Sequence, residues 1–242
     1  MSFEFKERFV DSPFVEMIWH TQSERAGSFT SVAVSNWEIV ITKMNGQTYF
    51  TVRGPETRPS LAMTPPDGEF LGITFKLGTY MPHLPVYALV DSAANLPIAS
   101  SRAFWLQGAA WELPTFDNAD TFVDRLVRGN LLVREPLVEQ VLRGRPVDHS
   151  PRSVQRRFLR ATGLTQSAVW QIERARFASN LLAQGVSILD TVVMAGYADQ
   201  PHMTRSLRAY VGFTPAQVIR ERPQVPISFL FKPEDGLLAV GF

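Results

Sequence analysis

Apolar and polar positions follow two different periods along this chain. From residue 28 to residue 77, short runs alternate with a period near two: FTSVAV, WEIVITKM, QTYFTVRG and FLGITFKLG, all rich in β-branched and aromatic side chains. Turn-formers separate them, among them Asn45-Gly46 and Pro65-Pro66-Asp67-Gly68. Asn-Gly between two such runs predicts a hairpin, because both residues accept the positive φ of a type I′ turn. The region therefore predicts an antiparallel β-sheet or small barrel. Residues 79–91, TYMPHLPVYALVD, carry Pro82 and Pro85 and predict a loop leading into a short helix or strand.

From about Asn118 onward the period becomes helical. A first helix is predicted around Ala119 to Arg128 and a second from Pro136 to Arg143, ended by Gly144-Arg145-Pro146. Ser150-Pro151 then supplies an N-cap followed by proline at the first helical position. The helix from Pro151 to Thr162 places Val154, Phe158 and Ala161 on one face, leaves Arg152, Gln155, Arg156, Arg157 and Arg160 around the rest, and closes at Gly163. A longer helix comes next, about Gln166 to Gln184, with Val169, Ile172, Ala175, Ala178 and Leu182 at helical spacing. Ser187 caps Ile188 to Ala195, with Ile188 and Val192 facing inward; Gly196-Tyr197-Ala198 makes a tight turn, and Asp199 caps the next helix to about Val211. Two helix–turn–helix pairs joined by a helix is the plain reading.

Charge divides at the same place. The 242-residue chain has a formal net charge of only +1. Residues 1–133 nevertheless hold 10 Lys/Arg and 14 Asp/Glu, residues 134–222 hold 13 and 7, and residues 223–242 hold 1 and 2. The middle segment contains no lysine at all, so its cations are planar guanidinium forks suited to phosphate and to guanine edges. That asymmetry points toward nucleic acid or another anionic surface. Cysteine is absent, which excludes disulfide frameworks, thiolate metal sites and cysteine nucleophiles, and the four histidines show no metal-ligand spacing. No stretch has the length and hydropathy of a membrane span or a signal peptide, so the expectation is a cytoplasmic protein.

The helical half resembles the DNA-binding domain of the AraC/XylS family of bacterial transcription regulators. Its second unit runs I-x3-V-x3-GYADQPHMTR-x-L-x4-G-x-TPAQ from Ile188 to Gln217, and its first unit, SPRSVQRRFLRATGLT, matches the family pattern from Ser150 to Thr165. Gly144, Arg145 and Pro146 fall where the family's first scaffold helix turns directly into the recognition helix, so a longer first turn is expected here. The resemblance implies an α+β protein of two domains: an N-terminal antiparallel β barrel, cupin-like, and a C-terminal all-α domain with two helix-turn-helix units joined by a linker helix. The expected boundaries are a sensor or assembly domain over 1–117, a helical linker over 118–135, the DNA-binding domain over 136–222 and an apolar tail over 223–242 that docks on the protein.

Recognition helices enter the major groove with their N-terminal turns. Base contacts are accordingly expected from Arg152, Gln155 and Arg156 in the first unit and from Gln200, Thr204 and Arg205 in the second, with Pro201 able to offer an apolar contact. Phosphate contacts are expected from Ser150, Arg157, Arg160 and Arg208. Arg174 and Arg176 read as helix-surface or structural ion-pair residues, and His202 as a neighbour of the Asp199 cap. Trp19, Trp37, Tyr49, Phe75, Tyr80, Trp105 and Trp111 could line an effector cavity but read first as β-domain core.

The expected partners are double-stranded DNA, a small-molecule effector and RNA polymerase, with no membrane association, no cofactor and a monomeric or homodimeric state. The alternative reading is a non-specific, architectural DNA binder without effector. An enzyme fused to the DNA-binding module, as in relatives that repair alkylated DNA, would need a reactive cysteine.

Overall fold

The computed structural model describes residues 3–221. The apolar tail expected over 223–242 lies outside the described residues. The strands are β1 (Phe3–Arg8), β2 (Val15–Ser23), β3 (Gly27–Ser31), β4 (Glu38–Met44), β5 (Gln47–Arg53), β6 (Ser60–Thr64), β7 (Gly68–Phe75), β8 (Thr79–Tyr80), β9 (Ala93–Leu96), β10 (Ile98–Ser100), β11 (Ala103–Leu106), β12 (Ala109–Glu112) and β13 (Val133–Arg134). The helices are α1 (Ala119–Arg128), α2 (Pro136–Leu142), α3 (Pro151–Thr162), α4 (Gln166–Ala183), α5 (Ile188–Met194), α6 (Gln200–Tyr210) and α7 (Pro215–Glu221), with a 3-10 turn at Val86–Leu89.

The main sheet has six strands in the order β1-β2-β7-β4-β5-β9, all antiparallel. The predicted Asn45-Gly46 hairpin joins β4 to β5, with φ of +51° and +72° at the two residues. The expected β barrel is corrected: among the described residues no pairing joins β1 to β9, and the six-stranded sheet is not closed. Strands β3 and β6 form a separate two-stranded ribbon, and Val32 and Ala33, directly after β3, are buried in the helical cores.

The sheet's core is filled by stacked rings. Trp37 lies 4.1 Å from Phe75 and Phe50 lies 3.9 Å from Phe104, centroid to centroid, and Trp37 Nε1 donates to the Thr79 carbonyl at 2.6 Å. The segment expected as a helical linker packs here as well. Ala119, Phe122, Val123 and Leu126 of α1 join this core, and β13 pairs with β8. Two further cores lie among the helices. One gathers Ala175, Ala178, Leu182, Met203, Leu207 and Val218 around Val32, and the other gathers Leu137, Val138, Phe158, Leu164, Val169 and Ile172 around Ala33. Helix α4 contributes to both, which is why it is buried on several sides. No helix among the described residues is long and apolar enough to cross a membrane.

Candidate nucleic-acid interface

Helix α3 begins and ends as its sequence dictates. Ser150 Oγ accepts a hydrogen bond from the Ser153 N–H at 3.3 Å, Pro151 occupies the first turn, and Gly163 closes the helix at φ +74° with its N–H donating to Leu159 O at 2.8 Å. Phe158 and Ala161 are each 1% exposed and anchor one face. Arg152, Gln155 and Arg156 are exposed together on another. Leu159 joins them at 42% exposure. Its place was visible in the sequence, since residues 152, 155, 156 and 159 obey the i, i+3, i+4, i+7 rule, but a leucine beside Phe158 reads as core until the packing is known.

The two other arginines of α3 turn away from this stripe toward the N-terminal part. Arg157 makes a paired contact with Glu135, Nε donating to Oε2 at 2.9 Å and Nη2 to Oε1 at 2.7 Å, while Nη1 lies 2.6 Å from His149 Nε2. Arginine has only donors, so His149 Nε2 is the acceptor in this contact. The Arg160 guanidinium sits 5.8 Å from the Tyr80 ring centroid. Ser150 is exposed, with its hydroxyl already serving the helix cap.

Helix α6 repeats the design. Asp199 Oδ1 accepts from the His202 N–H at 2.6 Å, and Met203 and Leu207, both 0% exposed, fix the inner face. Gln200, Pro201, Arg205 and Arg208 are exposed and Thr204 is half-buried. The His202 ring stands edge-on to Tyr197 at 5.1 Å, consistent with its expected place beside the cap. Tyr197 in turn bonds Ser206 at 2.8 Å and carries the Arg174 guanidinium 4.5 Å over its ring; burial pushes its phenol upward in pKa. Arg176 is not a surface residue. It is 2% exposed beside Glu173, Nη1 to Oε1 at 3.1 Å, and the same Glu173 oxygen accepts from Ser35 of the β4 approach.

A β-rich part is followed by capped helices that carry exposed arginine- and glutamine-bearing stripes. Residues 145–221 match the model of a helix-turn-helix domain. The HTH-type transcriptional regulator RipA of Corynebacterium glutamicum is 32% identical over 114 residues, covering 41% of this chain and 34% of that protein. The chain thus spans about a third of the length of the curated relative it matches. No solved structure matches the chain significantly. Residues 145–221 are thus similar to helix-turn-helix domains and follow a β-rich part. The matched region begins at Arg145, within the turn before α3, so α2 lies outside it.

Proposed function

We propose that the protein is a sequence-specific transcription regulator that reads two adjacent major-groove segments, one with α3 and one with α6. The observation that carries this reading is the pair of exposed stripes on two capped helices, Arg152/Gln155/Arg156 and Gln200/Thr204/Arg205. Arginine can take guanine O6 and N7, and glutamine adenine N6 and N7, in the major groove. In this reading α2–α3 and α5–α6 are the two helix-turn-helix units and α4 is the helix between them. Leu159 and Pro201 offer apolar contact to thymine methyls, and Ser150 and Arg208 face phosphates, while Arg160 stays over Tyr80. Control by a small-molecule effector in the N-terminal part belongs to the same reading and rests on the family arrangement.

Binding-site selection from a random duplex pool tests the proposal. A sharp motif about two helical turns long is the expected result. Binding without enrichment would favour a non-specific architectural role, and no binding would remove DNA from the picture.

A further inference from the structure

We propose that Glu135 is a positioning residue for α3: its carboxylate clamps Arg157 and thereby sets the angle at which Arg152, Gln155 and Arg156 are presented. This rests on the DNA-reading role given to α3 above and adds to it the residue that aims the helix.

The need for such a clamp arises from the connection. Residues 143–150 separate α2 from α3, and they include Gly144 at φ +61° and Pro146. A connection of that length does not by itself hold two helices at one angle. Nor does the apolar packing, because the fully buried anchors of α3, Phe158 and Ala161, lie in its C-terminal half, whereas only the half-buried Val154 serves the half that carries the stripe. Arg157 sits between those halves, and a guanidinium fork on both oxygens of one carboxylate constrains orientation as well as distance.

Glu135 is itself held from three sides. Its N–H donates to Gly78 O at 2.8 Å, its Oε1 accepts from the Leu137 N–H at 3.3 Å as the cap of α2, and its side chain is only 14% exposed. Gly78 has no room for a side chain, since a Cβ there would come within 2.9 Å of Val138 Cβ and 3.0 Å of the Glu135 carbonyl. One carboxylate thus joins the turn before β8, the start of α2 and the middle of α3. The Arg160–Tyr80 contact braces the same side of the helix one turn further on. A phosphate contact for Arg157, expected from its position near the flank, would require it to leave this pair.

The two roles predict opposite results for Glu135→Gln, which keeps an oxygen for the α2 cap and removes the charge. The probe is the duplex selected by the unaltered full-length chain, with single base changes in each half. If Glu135 positions α3, the variant loses discrimination in the half read by α3. There, base changes that cost the unaltered chain about 10-fold come to cost little, whereas those in the α6 half keep their effect. Arg157→Lys, which keeps the charge and loses the fork, should do the same with the salt dependence unchanged. If Glu135 only withholds Arg157 from phosphate, Glu135→Gln will tighten binding to every duplex and steepen the salt dependence by about one unit, and the proposal falls. Unchanged discrimination in both halves overturns it too.

Amide hydrogen exchange on the free proteins supplies a readout without DNA. Faster exchange over residues 151–157 in Glu135→Gln, with residues 200–207 unchanged, is expected, and equal exchange would sink the clamp. Should the unaltered chain select no motif, the DNA reading fails and the exchange measurement decides the clamp alone.

Discussion

Gln155 and Arg156 are exposed on the same helical face because Phe158 and Ala161 take the opposite one, and this much comes from a period of 3.6. Under the proposed function, Gln155→Ala, Arg156→Ala or Arg205→Ala should each cost about 1–3 kcal/mol at the selected site and relax preference at one base pair, as read by competition binding. Equal weakening on unrelated duplexes would count against base readout. Phe158→Ala belongs to a different class: it empties a site that is 1% exposed and should lower unfolding stability by about 3–5 kcal/mol in urea titrations. Other residues were less legible. The partner of Arg157 stands 22 positions earlier, and of the two places expected for Arg176 it takes the structural ion pair, with Glu173, which also bonds Ser35, 138 residues away. No local pattern announces the distant pairings.

At the scale of elements, starts and stops were the most legible features, since caps act within three or four residues. Ser150, Thr165, Ser187 and Asp199 all cap helices through their side chains. Ser150→Ala should therefore cost about 1 kcal/mol in thermal or urea unfolding, with the loss confined to hydrogen exchange in the first turn of α3 when the fold is otherwise intact. Gly163→Ala should cost more than a cap. It forces a Cβ onto a residue at φ +74° and brings it to 3.1 Å from Val86, where α3 meets the 3-10 turn of the N-terminal part. A melting temperature equal to that of the unaltered chain would mean that this contact yields easily. Strands were less readable: the four runs between residues 28 and 77 correspond to β3, β4, β5 and β7, whereas β1, β2, β6 and β9–β13 went unread. β3 and β6 pair only with each other, and Val32 and Ala33, directly after β3, are buried among helices.

At the scale of the molecule, the N-terminal and helical parts are fastened through residues 32–35: Ala33 donates to Tyr210 O at 2.8 Å, and Ser35 donates to Glu173. Glu173 also balances Arg176, whose Nε and Nη2 have no hydrogen-bond partner among the described residues. Glu173→Gln would leave a buried guanidinium uncompensated and should destabilise by about 3–5 kcal/mol, measured by chemical unfolding. The sheet contributes a pH dependence. Burial pushes the Glu38 carboxyl upward, against the opposing pull of Arg53 and of the Trp19 hydrogen bond. A carboxyl raised in the folded state favours its protonated form there, so its contribution is present at low pH and lost as pH rises through the raised value. Urea midpoints of the unaltered chain should accordingly fall relative to those of Glu38→Gln as pH rises above the ordinary carboxyl range. The reverse trend would show that the Arg53 pair outweighs burial.

From its sequence alone, this chain could be divided into a β-rich part and a helical part, helices α1 to α6 bounded to within a residue or two though α7 was missed, and the Arg152/Gln155/Arg156 and Gln200/Thr204/Arg205 stripes located. Each of these depends on interactions within about four residues: caps, turns and one face of a helix. Only the tertiary structure decided that the sheet stays open, that α1 completes the N-terminal core, that Arg176 is buried and that Arg157 faces Glu135. Those outcomes turn on which distant surfaces meet. A charge or an apolar side chain has the same local signature whether it faces water, DNA or another part of the chain, and burial and pairing give it one role.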